Sequence, residues 1–215
     1  GARGGGKSWA LRRKLILMAL HYSSIRILII RRTLSELREN HILPMLSELS
    51  GLAQYSESKK IFDFPSGSRI TLGYMDSERD VLRYQGQEYD VIAIDEATQL
   101  TEYQFSTLKA CLRGANGLPK RMYLTCNPGG VGHAWVKRLF IDRVFKANED
   151  PADYSFIPAK VYDNEILVNS DPDYVKQLES LPHELREAWL CGNWDIFEGQ
   201  FFSEFSREIH VIQPF

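Results

Sequence analysis

Apolar and polar positions along this chain change rhythm in a regular order: helical spacing, a short unbroken apolar run, then helical spacing again. Residues 8–22 carry the helical pattern, and 25–31 form an apolar run that predicts a buried strand. A second helix is predicted over 33–49, interrupted near Pro44. Runs at 61–64 and 69–74 flank Pro65-Ser66-Gly67, the pattern of a hairpin. A strand over 89–94, a helix over 101–112, a strand over 121–126 and a helix over 136–144 follow. Strands that alternate with helices predict an α/β fold: a mostly parallel sheet flanked by helices. The character shifts near Pro151. One more strand is expected over 154–162, then helices opening at Asp171-Pro172-Asp173 and Pro182-His183-Glu184, the second closed by Gly192.

Two motifs give this framework chemistry. Residues 1–8 read Gly1-Ala2-Arg3-Gly4-Gly5-Gly6-Lys7-Ser8, the pattern G-x-x-x-x-G-K-[ST] of a phosphate-binding loop. Gly1, Gly4, Gly5 and Gly6 let backbone amides, Arg3's included, close around phosphate. Lys7 can reach the β- and γ-phosphates of ATP, and the Ser8 hydroxyl can ligate Mg²⁺. The plain alternative is a glycine-rich helix cap with Lys7 in solvent. The strand at 89–94 ends in Asp95-Glu96, where ligands of open α/β sheets bind, beyond the carboxyl ends of strands. Asp95 there suits Mg²⁺, and Glu96 suits the attacking water. The alternative is an acidic first turn of the next helix. After the next strand, Thr125 and Asn127 place a hydroxyl and an amide where a γ-phosphate can be sensed.

Composition narrows the field. At 215 residues the chain can bury one sizeable core, with room for a small appendage. A net charge of −2 gives no global attraction to nucleic acid, so any DNA contact falls to local clusters: Arg12-Arg13-Lys14, Arg31-Arg32, Lys120-Arg121 and Lys137-Arg138. Each reads equally as a solvated face. Cys111, Cys126 and Cys191 are widely spaced, which predicts reduced thiols in core positions. The histidines show no metal-binding spacing, and the apolar run at 15–20 is too short to span a membrane. No N-K-x-D run reads guanine.

The order of these motifs, together with Val161-Tyr162-Asp163-Asn164-Glu165, the stretch 185–195 and the stretch 199–205, resembles the ATPase domain of phage large terminase subunits, the motors that package viral DNA. The resemblance covers essentially the whole chain. It implies a P-loop fold of the additional-strand, catalytic-glutamate class with a small C-terminal lid. The domains would be an ATPase core over 1–150, a lid and linker over 151–198, and a link toward a nuclease domain over 199–215. It implies Lys7 and Ser8 as nucleotide and Mg²⁺ ligands, Asp95 as the Mg²⁺-coordinating acid, and Glu96 as the catalytic base. Thr125 and Asn127 match its coupling motif. Arg3 would neutralise transition-state charge in cis, and Arg83 would act across a ring interface. ATP and Mg²⁺ are the implied cofactors; double-stranded DNA, portal protein and the small terminase subunit are the implied partners. The chain is expected to be a monomer in solution and a ring on the portal, in the host cell cytoplasm and away from membranes. No residue precedes Gly1, so the strand expected ahead of the loop is absent from this sequence, and ATP binding is expected to be impaired. Competing readings are a helicase or AAA+ type of DNA-remodelling ATPase, and a non-catalytic module that binds portal or a partner ATPase.

Overall fold

A computed structural model of the chain describes residues 2–195; Gly1 and the anticipated linker at 199–215 lie outside the described residues. The described residues group into two compact units, 6–126 and 2–5 with 127–195. The first of these units ends at Cys126. Beyond that cysteine, hydrogen bonds such as His133 to the Trp194 carbonyl tie the chain to residues further on.

The unit 6–126 is built on six strands: β1 (Arg26–Arg31), β2 (Gln54–Ser56), β3 (Ile61–Asp63), β4 (Arg69–Tyr74), β5 (Val91–Ile94) and β6 (Arg121–Leu124). Their order is β2-β3-β4-β1-β5-β6. β4, β1, β5 and β6 run parallel, while β2 and β3 join antiparallel. The expected hairpin joins β3 to β4, with Gly67 in the left-handed region at φ 81. Burial on both faces explains why β1 and β5 are almost wholly apolar. On one face Ile27, Ile29, Ile70, Leu72, Val91 and Ala93 meet helix α1 (Lys7–His21) through Leu11, Leu15 and Met18. On the other, Tyr84 lies against Gly73. A methyl at Gly73 would also come within 2.9 Å of the Ile30 side chain, so close approach fixes glycine there.

The helix over 34–48 is not interrupted at Pro44. It runs as α2 (Leu34–Leu37), a π-turn (Arg38–Ile42) and α3 (Leu43–Glu48). Pro44 has no N–H, so the Asn40 carbonyl loses its usual donor four residues on. The Arg12 guanidinium supplies one instead, at 3.0 Å, while clasping Glu48 with its other nitrogens at 2.9–3.2 Å. The slack is taken up by the Leu43 amide bonding back to the Arg38 carbonyl. Helix α4 (Glu102–Ala110) opens on a reciprocal Thr101–Gln104 cap.

The other unit has no strand among its described residues. Its helices are α5 (His133–Val136), α6 (Glu165–Ser170), α7 (Pro172–Glu179) and α8 (His183–Arg186); α5 and α8 continue into π-turns. The strand expected over 154–162 does not form. Pro158 withholds a donor, Ile157 is 85% exposed, and Val161–Asp163 closes as a 3₁₀ turn. The small core is Val161, Leu178 and Leu190. Asp171 caps α7 through the Tyr174 amide, and Gly192, at φ 69, ends the last π-turn.

Candidate active site

Asp95 follows the last residue of β5, and Thr125 follows the last residue of β6 next to it. The Asp95 amide donates to the Ile30 carbonyl and the Thr125 amide to the Ile94 carbonyl, so the sheet's own ladder sets both side chains. The Asp95 carboxylate is fully buried. Its Oδ1 accepts from the Ser8 hydroxyl at 2.7 Å and from the Thr125 hydroxyl. Its Oδ2 meets His41 Nε2 at 2.9 Å and Arg31 Nη1 at 3.1 Å. Burial alone would raise its pKa. The His41 hydrogen bond, neighbouring positive charge and the Thr125 hydroxyl outweigh that and hold the carboxyl well below the usual range. This is an ionised carboxylate beside two hydroxyls, a set of hard oxygen donors.

Glu96 has φ 60 and ψ 55, a left-handed conformation that costs a non-glycine residue about 1–3 kcal/mol. It is held there by its own amide on the Thr125 hydroxyl at 3.2 Å and by the Ala97 amide on the Thr125 carbonyl at 2.8 Å. Its side chain does not cap the 3₁₀ turn Ala97–Gln99 that follows, so a simple helix-starting role does not account for it. Lys7 opens α1 directly after Gly6, at φ 67; no side chain caps that helix, and its first turn holds no acid. Its leading amides and Lys7 together favour an anion.

In the other unit, residues 2–5 are held at close quarters. Ala2 donates to the Ala159 carbonyl and Arg3 to the Trp189 carbonyl, each at 2.7 Å. The Arg3 guanidinium lies 3.3 Å from the centre of the Trp189 ring. Asn164 donates to the Gly4 carbonyl at 2.8 Å, and a methyl at Gly4 would meet the Tyr174 ring at 2.7 Å. Gly5 lies against the Lys160 carbonyl. Asn127, half-buried, is the first residue of this unit's long segment. Arg83 ends the 3₁₀ helix Glu78–Arg83, pairs with Asp80 at 3.0 Å and covers the Tyr74 ring. It shares no ion pair with Asp95.

Of the residues singled out from the sequence, Ser8, Asp95, Glu96 and Thr125 come together; Arg31 and His41 join them without having been singled out for the site. The sequence reads Arg31 as part of a surface cluster, and it is buried against Asp95. Arg12, in another such cluster, is buried on Glu48, and Lys120 binds Asp90 at 2.9 Å. Nothing in the sequence pairs His41 with a residue 54 positions away. Of the cysteines, Cys111 and Cys126 are buried as expected, with burial pushing the Cys126 thiol up to about 11, whereas Cys191 is exposed. No helix among the described residues is long and apolar enough to cross a membrane.

Against known proteins, residues 1–209 match the model of the N-terminal part of the T4-like-virus type of terminase large subunit. A search of curated protein sequences returns no match. Among solved structures, the large terminase of a thermophilic bacteriophage, in complex with ADP, is similar at TM-score 0.71 and 17% identity. The similarity covers 90% of this chain and 46% of that one, and the same protein in complex with ATP-gamma-S gives 0.70. The large terminase ATPase domain of Thermus phage P74-26 is similar at 0.61 and 13% identity, covering 90% of this chain and 86% of that domain. At such identities the likeness is one of fold, and the chain spans about half the length of the ADP-bound large terminase.

Proposed function

Because the chain belongs to the terminase large-subunit family of the T4-like-virus type, we propose that it is the ATPase part of a DNA-packaging motor, a P-loop domain of the additional-strand, catalytic-glutamate class with a small C-terminal lid from about residue 151. The observation that carries the proposal is the Ser8–Asp95 hydrogen bond at 2.7 Å, which joins the end of the glycine loop to the end of β5 across 87 positions. The donor set fits Mg²⁺, a hard cation that keeps several waters and shares phosphate oxygens; it needs one carboxylate and one hydroxyl, not a closed protein cage. Ser8 and Asp95 would hold the ion, which when bound supplies positive charge to the phosphates.

The chain's own residues do the rest. The amides of Gly4, Gly5 and Gly6 and the Lys7 ammonium bind the β- and γ-phosphates. Glu96, fixed by its backbone on Thr125, orients a water in line with the γ-phosphate and takes its proton. Arg3 leaves or keeps its place on Trp189 according to what the loop holds, and so can offset charge that develops in the transition state. Thr125 and Asn127 sense the loss of the γ-phosphate and pass it into movement along double-stranded DNA. Arg83, exposed and near a surface, serves a neighbouring copy in a ring on a portal, with the small terminase subunit as a further partner. The test is a pair of substitutions in the intact protein. Glu96→Gln should reduce turnover by about 10²-fold or more while ATP still binds, and Lys7→Ala should weaken binding itself. Hydrolysis at the parental rate by the Glu96 variant would remove Glu96 as the base.

A further inference from the structure

His41 is the one group around Asp95 that neither the glycine loop nor the strand ends supply. Its ring is fully buried, and Nε2 sits 2.9 Å from Asp95 Oδ2. Its other nitrogen, Nδ1, is buried with no hydrogen-bond partner. A second buried histidine in the molecule shows the contrast. His133 accepts from the Gly129 amide on Nδ1 at 2.9 Å and meets the Trp194 carbonyl through Nε2 at 3.0 Å. Both of its nitrogens are matched, as a histidine that only fills a core requires. His41 gives up one such match to make a single bond. It is delivered by the π-turn Arg38–Ile42, whose Asn40 carbonyl, facing a proline four residues on, is taken by Arg12.

We infer that His41, together with Arg31, is a positioning residue for the metal site, fixing the direction in which Asp95 presents its carboxylate. The inference rests on the reading of Asp95 as the Mg²⁺-holding acid. Oδ2 is committed to the His41 ring nitrogen, whose in-plane direction is fixed, and to the Arg31 guanidinium, an ion pair at 3.1 Å. Oδ1 meets only the hydroxyls of Ser8 and Thr125. Hydroxyl hydrogens rotate, and each oxygen keeps lone pairs of its own, so those two bonds can be exchanged for a metal-bound water while the pair on Oδ2 stays in place. The carboxylate is thus divided into a fixed edge and an exchangeable edge. A bracket of this kind sets metal affinity by orientation without touching the metal.

The geometry supplies a discriminating pair of variants. The amide nitrogen of glutamine stands as many bonds from the backbone as Nε2, and that of asparagine as many as Nδ1. His41→Gln can therefore restore the bond to Oδ2, whereas His41→Asn can reach only the side that has no partner. In the intact protein, binding of ATP-gamma-S is followed by calorimetry as Mg²⁺ is titrated, and again with the metal chelated. For His41→Asn the half-saturating Mg²⁺ concentration should rise about tenfold or more, while for His41→Gln it should stay within about threefold of the parent. Metal-free nucleotide binding should be the same in all three. Equal Mg²⁺ dependence in the parent and both variants overturns the inference. So does a parallel loss of metal-free binding and near-ultraviolet circular dichroism in both, which would make His41 a packing residue. Should His41→Asn not fold, Arg31→Gln removes the cation paired with Oδ2 and must raise the Mg²⁺ requirement in the same sense, or the inference fails. A parent protein that binds ATP-gamma-S with no Mg²⁺ dependence overturns the functional reading itself, and this inference with it.

Discussion

Strand β5 has a buried aspartate beyond each end, and the two are held in different ways. Asp90, before the strand, accepts from the Arg26 amide at 2.8 Å, the Asn116 side chain at 2.8 Å and Lys120 Nζ at 2.9 Å. All three donors are N–H groups, two of fixed direction and one a rotating ammonium, and together they tie β1 and the loop before β6 to β5. Asp95, after the strand, has the His41 ring and the Arg31 ion pair on one oxygen and hydroxyls on the other. In both, burial would raise the pKa and the surrounding donors lower it instead. Burial and a depressed pKa thus do not set the two aspartates apart. What differs is the kind of donor: Asp90 meets N–H groups alone, whereas one edge of Asp95 meets two hydroxyls.

The sharpest way to break this comparison is Asp95→Asn. Turnover of ATP should fall by about 10²-fold or more, because the ionised edge is gone, while the β-sheet circular dichroism persists. If instead turnover per folded molecule survived, the exchangeable edge would have no chemical role. Next in size, Asp90→Asn should lower stability by about 2–3 kcal/mol in urea unfolding, the loss of charge-assisted bonds in a buried place, with turnover per folded molecule unchanged. The same variant carries a pH signature. A carboxyl whose folded pKa lies below its unfolded value stabilises fully above about pH 4 and loses that contribution as pH falls through the folded value. The acid side of a melting-temperature profile should therefore be flatter for Asp90→Asn than for the parent. Smallest is Arg83→Ala, which removes a half-exposed partner of Asp80. Stability should change by no more than about 0.5 kcal/mol, and a larger drop in denaturant midpoint would mean that surface charge matters as much as the buried sets.

Much of the site was legible because its residues are local to element ends. A glycine loop precedes a helix, and Asp95, Glu96 and Thr125 follow short apolar runs; strand ends in a parallel sheet converge by construction. Arg31 and His41 were not legible, since their role arises from pairing across the fold. The run Arg31-Arg32 looks identical whether it faces water or a buried carboxylate. Pro44 misled for a related reason. Its missing N–H breaks a helix only where nothing else serves the freed carbonyl, and here Arg12 does so from another helix. The segment 154–162 had the apolar content of a strand but no neighbour to pair with, and pairing, not content, makes a strand.

The attachment of residues 2–5 has a consequence for the order in which the chain can mature. Ala2 and Arg3 bond to Ala159 and Trp189, more than 150 residues further along. At roughly 5–20 residues per second of synthesis, their partners emerge on the order of ten to forty seconds later. In that interval every residue of the core cluster of 6–126, from Leu11 to Tyr123, has already been made. The leading half of the glycine loop, made before that core, is thus among the last parts to find its resting place. A nascent chain then has all of β1 to β6 in hand before residues 2–5 have their partners, and a premature stop before Trp189 would leave Arg3 with no ring to lie on.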